Sequence, residues 1–320
     1  MGGQRGALVR AFAALFPGQG SQYPGMGKDL ATAEPAAAAV FRAADEALDF
    51  PLSALCFEGP ESELVRTEIT QPSILTVAIA AFRAFEARGG RRPVAAAGHS
   101  LGEYAAHVVA GTLSFEDAVR TVRQRGRFMQ ESVPEGDGAM AAILGLERSG
   151  VELACAAAAQ GQVVSVANIN GPGQIVIAGH AAAVKRACDA ALAAGASRAV
   201  PLQVSAPFHC ALMEPAARRL SVVLSSVRFC DPSIPVYTNV DAGPVGTAAA
   251  SRDALARQVA SPVRWEEEIL RMAEDGIDTF IEFGPGRVLA GLVRRVRKDL
   301  GVHSVSDATA LDAALSVMAS

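Results

Sequence analysis

The residues of greatest chemical interest are Gly98-His99-Ser100-Leu101-Gly102, which match the pattern G-x-S-x-G. In a chain with 30 glycines such a match carries weight only in context. Here a short apolar run, 93–97, precedes the motif, and a helical pattern, 103–110, follows it. That context is what a nucleophile elbow requires. Small residues on either side of the serine allow a sharp turn that lifts its hydroxyl above the sheet edge. The helix N-terminus behind it favours negative charge developing nearby. A glycine-bounded strand-to-helix turn with an idle serine would carry the same letters.

A serine hydroxyl is a weak nucleophile at neutral pH and needs a base. The five histidines are His99, His107, His180, His209 and His303. A tight elbow should point the His99 side chain away from Ser100. His107 lies along the elbow helix, His180 ends a strand, and His303 sits in the C-terminal tail. His209 follows Ser-Ala-Pro-Phe in a rigid loop before a helix, so it is the favoured base, although a lone histidine is more often a packing residue. The carboxylates between Ser100 and His209, such as Asp117 and Asp189, fall in predicted helices. No triad acid stands out, which leaves a backbone carbonyl to orient the imidazole. Backbone N–H groups must hold a developing oxyanion. Leu101, after the nucleophile, is one natural donor, and the glycine-rich 16–22 segment could supply a second. That segment is neither a dinucleotide fingerprint, since Tyr23 replaces the third glycine, nor a phosphate-binding Walker loop.

The elements needed to position these groups can be read from periodicity. Residues 11–16 and 93–97 predict buried strands, and 35–48, 72–88, 103–110 and 115–131 predict helices. Such alternation points to a parallel sheet wrapped by helices. Residues 138–204 instead give the order β-α-β-β-α-β, with Asn170-Gly171-Pro172-Gly173 turning between two strands, the pattern of a ferredoxin-like unit. The expected organisation is an α/β core of residues 1–137 and 205–320, interrupted by this inserted subdomain at 138–204. Past the insertion come a helix at 212–225, a strand at 234–240, helices at 251–260 and 265–275, a strand at 277–283 and a last helix at 287–299.

Composition narrows the classes further. Half of the 320 residues are apolar and 19% are charged, as suits a compact globular protein. The net charge of −4 argues against nucleic acid as a partner. The five cysteines include no C-x-x-C pair, so reduced thiols in a cytoplasmic protein are expected. Arg10 splits the only candidate signal segment, and no apolar run is long enough to span a membrane. No spacing predicts a metal site.

Six segments, FPGQGSQ, GHSLGEYAA, QRGRFMQ, NINGPGQIVIAG, APFHCALM and EFGPGRVLAGL, stand in this order. Together they resemble the bacterial malonyl-CoA:acyl carrier protein transacylases and the acyltransferase domains of polyketide synthases. The resemblance runs from about Ala14 to Leu300 and implies an α/β-hydrolase-like core. It implies that Ser100 is acylated, that His209 is its base, and that Gln19 and Leu101 provide the oxyanion hole. Arg125 would bind the free malonyl carboxylate, Gln258 would orient His209 through its main chain, and Gln71 would lie near the pocket. Asn170 would serve coenzyme A binding, and Phe208 would influence the choice of acyl group. The implied reaction passes malonyl from malonyl-CoA to the phosphopantetheine thiol of acyl carrier protein without a cofactor. A polyketide acyltransferase acting in trans and a serine thioesterase are the neighbouring alternatives.

Overall fold

The computed structural model describes residues 11–319. The signal-segment reading that turns on Arg10 therefore lies outside the described residues. The elements begin with β1 (Ala13–Phe16), α1 (Lys28–Ala33), α2 (Pro35–Leu48), α3 (Leu52–Glu58), α4 (Glu61–Leu64) and α5 (Thr67–Ala87). They continue with β2 (Ala95–Gly98), α6 (Gly102–Val109), α7 (Phe115–Glu131), β3 (Gly138–Leu144), α8 (Arg148–Ala159), β4 (Val164–Gly171), β5 (Gln174–His180), α9 (Ala181–Ala193) and β6 (Arg198–Pro201). A 3₁₀ turn precedes α10 (Glu214–Ser226), and β7 (Val236–Thr238), β8 (Gly243–Val245), α11 (Ala248–Gln258) and α12 (Trp265–Glu274) follow. The last elements are β9 (Thr279–Phe283), α13 (Val288–Val296), β10 (Gly301–Val305) and α14 (Ala308–Ala319).

Among the described residues, ten strands form two sheets. The larger has the order β10-β9-β1-β2-β7-β8, parallel throughout except for the antiparallel edge strand β8. Its central strands β1 and β2 are buried on both faces, which explains why AALF and AAAG carry no polar alternation. Five phenylalanines stack against β1: Phe283 lies 5.2 Å from both Phe82 and Phe85 and 6.2 Å from Phe16, and Phe12 lies 5.9 Å from Phe85. Truncating a ring in such a cluster costs about 3–5 kcal/mol, so this packing is a main anchor of the strands that carry the site.

The smaller sheet, β4-β5-β3-β6, is antiparallel and made entirely within 138–204. Its residues alternate between two cores, as the two-residue period of a strand demands. On β3 and β5, Ala141, Ile143, Ile175 and Ile177 face α8 and α9, while Met140, Val176 and Ala178 join the core of the larger body. The chain ahead of α12 is zipped to β4, with Ile169 N–H donating to Val263 C=O at 2.8 Å and Val263 N–H to Ala167 C=O at 2.9 Å.

Two expectations need correction. The long helix α5 starts at Thr67, five residues before the expected start of the 72–88 helix at Pro72. Pro72 lies inside the helix, where it removes one backbone donor and crowds the carbonyl four residues earlier, so other forces must carry the helix through it. The residues ahead of Pro72 wind on because Thr67, Ile69, Thr70 and Gln71 are buried. Residues beyond Leu300 are no featureless tail, and α13 is not the last helix. The segment Gly301–Val305 adds β10 beside β9, which puts His303 in the main sheet, and α14 packs behind it. Among the described residues, no helix is long and apolar enough to cross a membrane.

Candidate active site

Ligand sites in open α/β sheets lie beyond the carboxyl ends of the parallel strands. Three neighbouring strand ends converge here: β1 leads to Gln19, β2 to Ser100 and β7 to Asn239. Ser100 stands between β2 and α6 with φ 53, a left-handed conformation that an L-residue holds only when its surroundings enforce it. The two motif glycines are needed because the backbones touch. A Cβ on Gly98 would lie 2.0 Å from the Gly102 backbone, and one on Gly102 would lie 2.1 Å from Phe16 O.

The turn aims Ser100 Oγ at His209 Nε2, 2.7 Å away. The geometry also fixes the imidazole tautomer. His209 Nδ1 faces two main-chain carbonyls, Gln258 O at 3.0 Å and Ser261 O at 3.2 Å. Nδ1 therefore carries the proton, and Nε2 is left to accept from the serine hydroxyl. Two carbonyls take the orienting place that an acid holds in a Ser-His-Asp triad. His209 is 3% exposed, and burial, with the Arg125 charge nearby, pushes it down to about 3. The base thus stays neutral far below the usual imidazole range. The expected result is that kcat/KM for enzyme acylation shows no loss as the pH is lowered from 7 to 5. An acid limb centred near 6.5 in a stopped-flow pH series would contradict this placement.

Arg125, on α7, is 1% exposed. Its Nη1 donates to Gln71 Oε1 at 2.7 Å, and its Nη2 donates to Gln258 Oε1 at 3.0 Å and Ser100 Oγ at 3.1 Å. All three partners are uncharged, and Nε has none. A buried cation whose hydrogen bonds all go to uncharged partners is costly, so this guanidinium is poised to receive an anion directly.

Ser100, His209, Arg125, Gln71, Gln19, Leu101 and Phe208 all line one cavity of about 330 Å³, and Met140, Asn168 and Leu202–Val204 close it from the smaller sheet's segment. Gln258 supports it from behind. Asn170 does not line it. The Asn170 side chain instead meets His99, Nε2 to Oδ1 at 2.9 Å, and this contact turns the His99 ring away from the nucleophile although His99 does border the cavity. His107 is buried along α6, and His180 Nδ1 accepts from Val163 N–H.

Several functional neighbours had no signal in the motif reading. Asn239 Oδ1 accepts from Ser100 N–H at 2.7 Å while its Nδ2 donates to Gly98 O at 2.8 Å, so one side chain splints the elbow from both sides. Asn239 is held in turn by Glu103 Oε2, which accepts from its N–H at 2.9 Å, and by Glu268 Oε1, which accepts from its Nδ2 at 2.9 Å. Asn239 ends the strand expected at 234–240, and only the pairing of β7 with β2 brings it to Ser100. Among the described residues no group of His, Cys, Asp and Glu could hold a metal ion, and all five cysteines are free.

The family model of the acyl transferase domain matches residues 14–313. The chain belongs to the acyl transferase family. As a member of it, the chain is 50% identical over 306 residues to the malonyl CoA-acyl carrier protein transacylase of Escherichia coli (strain K12), spanning 96% of this chain and 99% of that protein. The transacylase of the same name from Bacillus subtilis (strain 168) is 48% identical over 307 residues, 96% of each. The solved malonyl CoA-acyl carrier protein transacylase of Coxiella burnetii superposes with a TM-score of 0.95 at 44% identity, covering 97% of this chain and 98% of that one. A malonyl-transacylase solved in complex with its holo type II PKS acyl-carrier protein superposes with a TM-score of 0.94 at 50% identity, covering 96% and 99%. The α/β-hydrolase-like core expected from sequence is the fold of these acyltransferases, and this chain is an acyltransferase.

Proposed function

We propose that the chain transfers the malonyl group from malonyl-CoA to the phosphopantetheine thiol of acyl carrier protein, supplying fatty acid synthesis, with Ser100 as the residue acylated in between. The observation that carries this reading is the guanidinium of Arg125 at 3.1 Å from the nucleophile, buried and hydrogen-bonded only to uncharged groups. An enzyme for uncharged acyl groups has no use for that cation, whereas a malonyl carboxylate completes it through two parallel hydrogen bonds.

In the first half-reaction Ser100 Oγ attacks the thioester carbonyl as His209 Nε2 takes its proton. The Gln19 and Leu101 N–H groups hold the oxyanion. The C–S bond then breaks, and the departing sulfur receives the proton from His209. In the second half-reaction the carrier protein's thiol gives its proton to His209 and attacks the Ser100 ester, and the serine oxygen recovers the proton as it leaves. Gln258 orients the base through its main-chain carbonyl. Asn170 serves coenzyme A from the smaller sheet. Residues 138–204 are a ferredoxin-like subdomain inserted between 1–137 and 205–320, and the reaction occurs where the two parts face each other. No cofactor takes part, and the protein works in the cytoplasm.

Phe208, 7% exposed in the cavity wall beside Leu101, crowds the α-carbon of the acyl group. One methyl group in a pocket is worth about 1–3 kcal/mol, so methylmalonyl should be disfavoured and not excluded. The test of the whole reading is coenzyme A release with and without holo carrier protein, using malonyl-CoA and methylmalonyl-CoA in competition. Transfer requires that sustained release depend on the carrier protein and that malonyl lead. Equal release without carrier protein would mark a thioesterase. Equal loading of the two acyl groups would remove Phe208 from the account.

A further inference from the structure

Beneath Ser100 lie buried polar groups that the transfer steps leave without a task. Glu103, in the first turn of α6, is fully buried. Its Oε2 accepts from Asn239 N–H at 2.9 Å and from Gln258 Nε2 at 2.7 Å, while its Oε1 has no hydrogen-bond partner. At the other end of the same amide, Gln258 Oε1 accepts from Arg125 Nη2 at 3.0 Å. A single amide thus joins a guanidinium to a carboxylate. Its oxygen faces the cation and its N–H faces the acid, the orientation that an ionised pair favours.

We propose that Glu103, acting through the Gln258 side chain, is the buried counter-charge of Arg125, and that a substrate carboxylate arriving at Arg125 takes over this role and drives Glu103 to bind a proton from solvent. Glu103 does not line the cavity, so it is a positioning and charge-setting residue. With the cavity empty, Arg125 and an ionised Glu103 sum to zero. A malonyl carboxylate would leave the buried set with an excess negative charge, which in a medium of low dielectric is relieved by protonating the weaker partner.

The surroundings leave Glu103 as the group that responds. Burial raises it to about 7, opposed by the Asn239 N–H, the Gln258 amide and the Arg125 charge, so it titrates where the enzyme works. From its own helix it faces Tyr104, which burial raises and keeps neutral, and His107, whose Nε2 is 3.9 Å from Oε1 and which burial lowers to about 3. From α12 it faces Glu268, which burial, followed by the charge of Glu103, holds well above the carboxylate range and so protonated. Past β7, Asp241 is held ionised by its hydrogen bonds to Arg257. From α7 comes Arg125 itself, lowered by burial yet still a cation.

The inference rests on the malonyl reading, and the experiment reports the two separately. Malonyl-CoA is mixed with an equimolar amount of enzyme in weak buffer with a pH indicator, and the acyl-enzyme is counted by mass spectrometry in the same sample. Acyl transfer itself exchanges no net proton near neutrality, because the hydroxyl proton ends on the coenzyme A thiol. At pH 7.5 most of one proton should be taken up per acyl-enzyme. The uptake should vanish at pH 5.5, where Glu103 is already protonated, and in Glu103→Gln at either pH. In the wild type, kcat/KM for malonyl-CoA should also fall by up to about tenfold per pH unit above 7, and it should stay flat in Glu103→Gln. Acyl-enzyme formed without proton uptake at pH 7.5, or with equal uptake at both pH values or in Glu103→Gln, overturns the inference and leaves malonyl transfer standing. If no acyl-enzyme forms, the malonyl reading fails and the inference falls with it. Should Glu103→Gln not fold, the wild-type comparison of the two pH values decides alone.

Discussion

Arg125→Ala should lower kcat/KM for acylation by malonyl-CoA by roughly 10²–10⁴ while leaving acetyl-CoA unchanged or improved. The size follows from burial. Arg125 sits in a cavity wall with neutral partners, so a malonyl carboxylate and the guanidinium leave water only for each other. Removing one member of a buried pair costs about 3–5 kcal/mol, because the other charge is left dry and alone. Acetyl gains nothing from the cation and pays for entering beside it. The measurement is therefore the ratio of the two rates in one preparation, which cancels any loss of folded enzyme. Arg125→Lys keeps the charge without the planar fork, so its ratio should fall in between. A malonyl-to-acetyl ratio unchanged in Arg125→Ala would show that the carboxylate is held elsewhere.

His209→Ala should slow acylation by roughly 10²–10⁴, the range spanned by a general base. The hydroxyl of Ser100 has one nitrogen within reach that can accept its proton, since the other strong neighbour, Arg125 Nη2, only donates. His99→Ala is the internal control. Its ring nitrogen is engaged with Asn170 at 2.9 Å and plays no part in the proton path, so its effect should be small. A crippled His99→Ala beside a nearly normal His209→Ala, both shown to be folded, would reverse the assignment.

The elbow was legible because a Cβ at position 98 or 102 would come within 2.0 or 2.1 Å of neighbouring backbone, which leaves only glycine there, and such a constraint writes itself into the sequence. The helix α7 was legible to the residue, since Ser114 caps it through a hydrogen bond to Asp117 N–H and its apolar stripe repeats cleanly. The strands β3 and β5 were legible as strands, whereas their split between two cores was not, because both faces are apolar and only the packing tells them apart. Asn239 was not legible. It meets Ser100 across 139 residues of chain, and nothing local distinguishes it from any polar residue ending a strand. The same holds for Ser261, whose contribution is a carbonyl that every residue carries. Glu103 stood in plain view within the motif region, but its letter reads as an ordinary first-turn acid favoured by the helix dipole. Only burial reveals it as a carboxyl deprived of water. The start of α5 was hidden by Pro72, whose local preference lost to the packing of Thr67–Gln71. The strand β10 was missed because His303 and Ser304 interrupt the apolar run that marked β1 and β2.

The claim beneath all of these is that Ser100 carries the acyl group between donor and acceptor. Peptide mapping by mass spectrometry of enzyme quenched moments after exposure to malonyl-CoA tests it most directly. The account predicts one malonyl group per chain, on Ser100, discharged when holo carrier protein is added before the quench. A malonyl group on any other residue, or full transfer to carrier protein by Ser100→Ala, would contradict it.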